Sequence, residues 1–351
     1  MERHVQYTLQ VAVLISWLLG LFPTRNAFLT SKNFRFVGCS VGTGIAAATL
    51  VLSCFQIGGA TYAFSVGTHT NSQASQLAII FATFSALTYA ALARFCSLIF
   101  CSKLVTLMRL LQEVRALRLP SGYGGVESRG RWKGWLTVGI CIMLGIMIVS
   151  HVWAQAVAVI TVDLSNPLAA MTLRREPYPI EIFVMIFGYS NAVMTEKVIV
   201  ALSLCLGYNL LSAHEQISSI LQYNLEISGT IMDYNYKGKD GKFWYSFMQV
   251  FDKLRTCFQI YTDVLGFQSF LIIAQNIGEV TYSTYFMLWP MDGNLSLLAL
   301  PAALVNPTLI LWIGNCMENQ VKDYRQKIED ALSNARMRKH GDRSEVLGIM
   351  G

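Results

Sequence analysis

Apolar residues in this chain come in long uncharged runs broken by short polar stretches, and the run lengths set the expected elements. From Phe36 to Ala93 there is no Lys, Arg, Asp or Glu. That is room for two membrane-crossing helices, each of which needs about 20 mainly apolar residues. The polar run "TYAFSVGTHTNSQAS" divides the stretch and places helices at 36–58 and 76–99. A second uncharged run, between Lys133 and Asp163, predicts a helix over 134–160 with Trp153 near its interfacial end. The two prolines of "REPYP" stop any preceding helix, so the next span is expected at 182–207. The last two are placed at 264–288, after Asp263, and at 295–316, after "WPMDGN". Pro301 and Pro307 fall inside the sixth, where neighbouring helices can satisfy the carbonyls they free. The pattern predicts an all-α, polytopic transmembrane helical bundle over 36–316, preceded by a segment 1–35 and followed by a tail 317–351.

One shorter run stays open. Residues 9–22 are apolar, but at 1.5 Å per residue they cover about 21 Å of a hydrocarbon core about 30 Å thick. Pro23, Thr24 and Arg25 follow instead of small residues suited to cleavage, so the segment reads as retained. Two further stretches read as helices continuing beyond the bilayer. Leu104, Leu107, Leu111, Val114 and Leu117 form one stripe of 103–118, and 317–339 prolongs the last span as a charged helix with Tyr324 and Ile328 on one face.

Composition agrees with the pattern. The chain is 54% hydrophobic and 14% charged, against about 45–50% apolar and about 25% charged in ordinary globular domains. The formal net charge of +6 does not indicate nucleic acid, because the basic residues are spread over separate loops instead of one face. Their distribution sets the orientation. Segments 1–35, 102–133, 207–261 and 317–351 hold 23 of the 27 Lys and Arg, whereas the alternate connections hold only Arg174 and Arg175. Driving positive charge across a bilayer is unfavourable, so the basic segments are assigned to the cytoplasm. The sequon Asn294-Leu295-Ser296 then falls on the outer side, as a candidate glycosylation site. The eight cysteines form no CxxC or Cys/His cluster, so neither a disulfide framework nor a metal site is read, and no cofactor is indicated.

No enzyme constellation emerges, and the five histidines are scattered. Polar groups inside the spans are the stronger lead, since hydrocarbon penalises them unless they face a cavity or a partner. Gln275, Glu279 and Tyr282 share one face of the fifth helix, with Asn276 and Tyr285 beside them. His151 and Gln155 share a face of the third, and Tyr189 and Asn191 lie in the fourth. All fall in outer halves, which predicts an outward-opening pocket for a small organic ligand among helices three to five. The bland reading is interhelical hydrogen bonding alone. Glu196 and Lys197, adjacent and so about 100° apart on a helix, are expected to find separate partners. Arg94 is expected to snorkel from the inner end of the second helix.

With these features in place, the chain resembles the arthropod gustatory and odorant receptor superfamily, its gustatory branch in particular. The opening "ISWLLGLFPTRNAF" resembles that family's approach to its first span. "LRTCFQIYTDVLGFQSFLIIAQNI" resembles its fifth-helix pattern, and "WIGNCMENQVKDYRQKIEDAL" the segment following its sixth helix. The resemblance implies a plasma-membrane, ligand-gated cation channel, a homo- or hetero-tetramer with related receptors, binding a tastant in an outer pocket and contacting membrane lipids. The family's pore-lining seventh helix has no counterpart after residue 316, which implies a chain that is truncated or does not conduct alone. The rival is a seven-helix G-protein-coupled receptor. If 9–22 spans, every later helix keeps its orientation, and Asn306-Pro307 is similar to that family's Asn-Pro motif. Against it, Leu311 or Ile310 stands where that motif has its Tyr, and "LARFCS" stands where an acidic-Arg-Tyr triplet belongs. A transporter is a third possibility, but the inverted repeats it would need are not found.

Overall fold

A computed structural model describes residues 2–26, 28, 35–66, 73–116, 131–160, 179–230, 237–288, 304–319, 321–327 and 329–330. Among these residues the chain is all-helical, with no strand beyond one isolated bridge between Thr24 and Phe36. The helices are α1 (Glu2–Leu18), α2 (Val41–Val66), α3 (Gln73–Ala116), α4 (Arg131–Ile160), α5 (Pro179–Thr230) and α6 (Lys237–Leu288). Residues 304–319 form a further helix, α7, with helical residues resuming at 321–327. Four apolar segments are long enough to cross a membrane: Val41–Gly58, Phe84–Val114, Met194–Ile220 and Gln249–Thr281. Val5–Leu18 and Gly134–Ser150 are shorter apolar helices.

The expected spans at 182–207 and 264–288 are thus parts of two much longer helices, because no Pro or Gly-rich break separates the apolar runs from the amphipathic residues next to them. The same continuity carries α3 down to Ala116, and Leu104, Leu107, Leu111 and Val114 of the predicted stripe are all buried. Segment 1–35 is not a featureless lead-in. Its residues 2–18 form α1, whose Val5, Leu9, Ala12 and Val13 are buried against α4 and α5 while Tyr7 and Val11 face outward.

A tight corner fixes how α1 meets α2. Gly20 takes φ 71°, the left-handed conformation that closes a helix C-terminus, and the Leu21 N–H reaches back to the Ser16 carbonyl at 2.7 Å. Trp17 Nε1 donates to the Thr24 carbonyl at 2.9 Å. Ser40 accepts from the Thr43 N–H at 3.2 Å and caps the start of α2. A side chain at Gly42 would overlap the Thr24 carbonyl and Trp17 Nε1, so the close approach needs glycine there. The segment "GLFPT", part of the quoted family resemblance, is therefore a packed corner with Leu21 and Phe22 buried.

α3 lies along α6, α4 along α5 and α2 along α3, with α5 central and touching α1, α3 and α6 as well. Ser97, Lys103 and Glu113 meet Gln268, Asp263 and Lys253 in turn, so α3 and α6 run antiparallel. α5 also opposes α6, with Glu196 facing Asn276 and the Ser203 carbonyl accepting from the Tyr261 hydroxyl. α7 runs parallel to α5. Its Asn306 meets Glu196, and a Cβ at Gly207 would sit 3.3 Å from Ile313 and Met317. These directions match an up-down traverse by successive helices.

The distribution of polarity is inverted relative to a water-soluble bundle. Val51, Phe55, Ile146, Val149, Trp153, Phe270 and Ile277 are each more than 60% exposed, while Arg94 and Asn306 are 0% exposed. An apolar exterior around charged interior groups is what a hydrocarbon surround selects.

Candidate functional site

One group of buried polar side chains gathers at a single level of the bundle, toward the N-terminal ends of α5 and α7 and the C-terminal end of α6. At its centre is Glu196, 2% exposed. Its Oε1 accepts from Asn276 Nδ2 of α6 at 2.5 Å and from Asn306 Nδ2 of α7 at 2.6 Å. Its Oε2 accepts from Lys197 Nζ at 3.1 Å. One carboxylate thus ties three helices together. The expectation that Glu196 and Lys197 have separate partners is corrected. Their Cα–Cβ bonds diverge, but the four-carbon stem of lysine is long enough to curl back onto its neighbour, and among the described residues no acid from another helix is nearer.

Arg94 does not snorkel. It is fully buried on α3, where Nη1 donates to the Ala90 carbonyl at 2.8 Å and Nη2 to Thr195 Oγ1 at 3.1 Å. Thr195 in turn donates to the Asn191 carbonyl at 2.6 Å, so the guanidinium is held by hydrogen bonds to neutral oxygens. Tyr89, one turn earlier on α3, lies within Coulombic reach of Glu196, Arg94 and Glu279. One layer away, Gln268 Nε2 donates to Ser97 Oγ at 3.1 Å and pins α6 to α3.

The sequence-predicted residues divide. Gln275 and Glu279 are in the cluster, bonded to each other at 3.4 Å, and Glu279 lies within Coulombic reach of Glu196 and Lys197. Asn191 is buried on α5, one turn before Thr195. The side chains of His151, Gln155, Tyr189 and Tyr282, and the whole of Asn294, lie outside the described residues. The residues that organise the cluster are ones the sequence reading did not choose as ligand contacts. In the sequence Glu196 stands out only as a charged group in need of a partner, and Asn306 only as part of an Asn-Pro pair. What could have singled them out is an amide or carboxylate in the midst of an apolar run, and Asn306 stands in "ALVNPTLIL".

The cluster's satisfaction is lopsided. Seven buried polar atoms among the described residues lack a hydrogen-bond partner, and all belong to this level: Tyr89 Oη, Arg94 Nε, Ser190 Oγ, Asn191 Oδ1, Gln275 Oε1, Asn276 Oδ1 and Asn306 Oδ1. Four are amide carbonyl oxygens, two are hydroxyls and only one is an obligate donor. Buried polar groups almost always find partners, and each unmade bond costs about 1–3 kcal/mol. The arrangement is suited to receiving a polar guest. No protein-family model and no curated protein matches the chain.

Proposed function

We propose that this chain is a chemosensory receptor of the gustatory type, residing in the plasma membrane with its long basic loops and C-terminus in the cytoplasm. It serves as a subunit of a homo- or hetero-tetrameric ligand-gated cation channel. The cluster on α3, α5, α6 and α7 receives a small organic tastant in the outer half of the bundle. One observation carries this reading: the unpartnered polar atoms converge on a single level where four helices meet, with acceptors greatly outnumbering donors. A cluster built only to hold helices together would close its own hydrogen bonds. Because Glu196 bonds to α6 and α7 at once, a ligand that competes for it alters the contact between those helices, which links occupancy to rearrangement.

The test is a panel of sugars, alkaloids and volatile esters applied to cells expressing the chain, alone and with a related receptor, while current is recorded. A response to at least one compound is expected, with Asn306→Ala shifting its half-maximal concentration about tenfold, the loss of one buried hydrogen bond. Silence across the panel from protein verified at the cell surface refutes the reading.

A seven-helix G-protein-coupled receptor is the second reading, favoured by α1, which packs within the bundle and brings the helices to seven among the described residues. A tag before Glu2 distinguishes them. Antibody access in intact cells supports the coupled receptor, and access only after permeabilisation supports the channel.

A further inference from the structure

We propose that the cluster around Glu196 binds a monovalent cation, either an alkali-metal ion or the primary ammonium group of an organic ligand. This names the chemistry of the guest and rests on reading the cluster as a ligand site.

Glu196 and Glu279 stand on facing helices, yet the cluster supplies one bonded ammonium for the two carboxylates. Lys197 Nζ bonds Glu196 Oε2, its only hydrogen bond among the described residues. Among the described residues Glu279 receives only Gln275 Nε2 at 3.4 Å, longer than an ordinary N–H···O bond, and no cationic side chain pairs with it. Arg94 has its Nη atoms committed to the Ala90 carbonyl and Thr195.

Four of the seven unpartnered atoms are acceptors that fit the same guest. Asn276 and Asn306 have their amide nitrogens fixed on Glu196, and among the described residues neither Oδ1 has a donor of its own. Gln275 Oε1 and Asn191 Oδ1 add two more free carbonyl oxygens. Carboxylate and amide oxygens are the hard ligands that alkali ions take, and they are equally the acceptors that an ammonium's three N–H groups seek. A guest on Glu196 releases Lys197, and Glu279 is within its Coulombic reach to receive it. Each carboxylate then has its own cation.

The experiment uses the full chain in lipid nanodiscs, with thermal unfolding followed by tryptophan fluorescence. NaCl, KCl or methylammonium chloride is titrated while N-methyl-D-glucamine chloride holds the ionic strength constant. A saturable rise in Tm with a small cation is expected. Asn306→Ala weakens its apparent affinity about tenfold and Glu196→Gln abolishes it. A rise with sodium or potassium alone identifies the alkali ion, and a rise with methylammonium alone identifies the organic ammonium. A Tm that does not depend on which cation is present, or a Glu196→Gln protein that keeps the saturable rise, overturns the proposal. Should Glu196→Gln fail to fold, Gln275→Ala and Asn306→Ala carry the test, and unchanged affinity in both overturns it. A flat titration beside a tastant response that Asn306→Ala weakens refutes the cation and leaves the receptor reading intact.

Discussion

Two levels of the same helices follow opposite rules. At the level of Glu196, charge and amides lie inside and several buried polar atoms go without partners. Further along α3, α5 and α6, Leu107, Leu111, Leu210, Ile217, Val250 and Leu254 fill the interior, and the charged pairs Lys253–Glu113 and Lys103–Asp263 stand at the surface. The second level resembles a water-soluble bundle and the first its inverse. The same helices are therefore stabilised by apolar packing at one end and tied by buried polar groups at the other, α5 to α6 and α7 through Glu196 and α3 to α5 and α6 through Arg94 and Ser97. Rigidity is expected where the core is apolar and satisfied, and response to ligand where polar groups are buried and unsatisfied.

The sharpest way to break this contrast is to remove the charge at the polar level. Glu196→Leu removes the carboxylate that Lys197 bonds and takes the acceptor from Asn276 and Asn306. Breaking a buried pair from one side costs about 3–5 kcal/mol. The double variant Glu196→Leu with Lys197→Met removes the lysine charge as well, and more than half of the loss is expected to return. Thermal unfolding of the purified proteins measures both. Equal destabilisation of the single and double variants would show that Lys197 does not depend on Glu196.

At the apolar level the corresponding change is Leu107→Ala. Leu107 is 0% exposed on α3, so its truncation leaves a cavity among Leu111, Leu254 and their neighbours. The expected loss is about 2–4 kcal/mol. The two levels differ in function more than in stability. Leu107→Ala should lower Tm without moving the half-maximal concentration of any ligand, whereas Asn306→Ala should move that concentration more than Tm. A ligand response shifted equally by both variants would dissolve the distinction.

How much of this could be read from the residues follows the same division. The helices were legible because an apolar run without charges has few folded outcomes, and the stripe Leu104, Leu107, Leu111, Val114 forecast its buried face. Their lengths were not, since hydropathy ends where amphipathic residues begin while backbone hydrogen bonding continues. The run 9–22 stays open in the sequence because it is short for a span, but a helix buried on one face by α4 and α5 does not need to reach across a bilayer. In the cluster, spacing along one helix correctly joined Gln275 to Glu279. It could not join Glu196 to Asn276 and Asn306, which are 80 and 110 residues away. Nor does spacing forecast that Lys197 folds back on its neighbour.

The surface pairs provide the small end of the comparison. Lys253 Nζ lies 2.6 Å from Glu113, with the two side chains 36% and 55% exposed. Water screens such a pair, so Glu113→Gln is expected to cost less than about 1 kcal/mol, and the difference should vanish in high salt. A larger, salt-insensitive loss would mean that the pair is shielded by something the bundle itself does not provide.

The smallest effect concerns pH and the extension of α7, where the apolar level ends. Burial, with Glu215 and Asp323 near by, pushes the Tyr324 hydroxyl up from its ordinary value near 10 to about 12. The folded chain thus holds this proton more tightly than the unfolded one. The resulting stability is complete below pH 10, where both states are protonated, and is lost as pH rises toward about 12. Tyr324→Phe cannot ionise, so its Tm should fall less steeply over that interval than that of the parent chain, with the two curves parallel below it. Since Tyr324 is only half-buried, the divergence should be smaller than the effects of Glu196→Leu or Leu107→Ala. A parent and variant that stay parallel through the whole interval would mean that the extension does not pack against α5 near Glu215, and the apolar level would then stop short of residue 324.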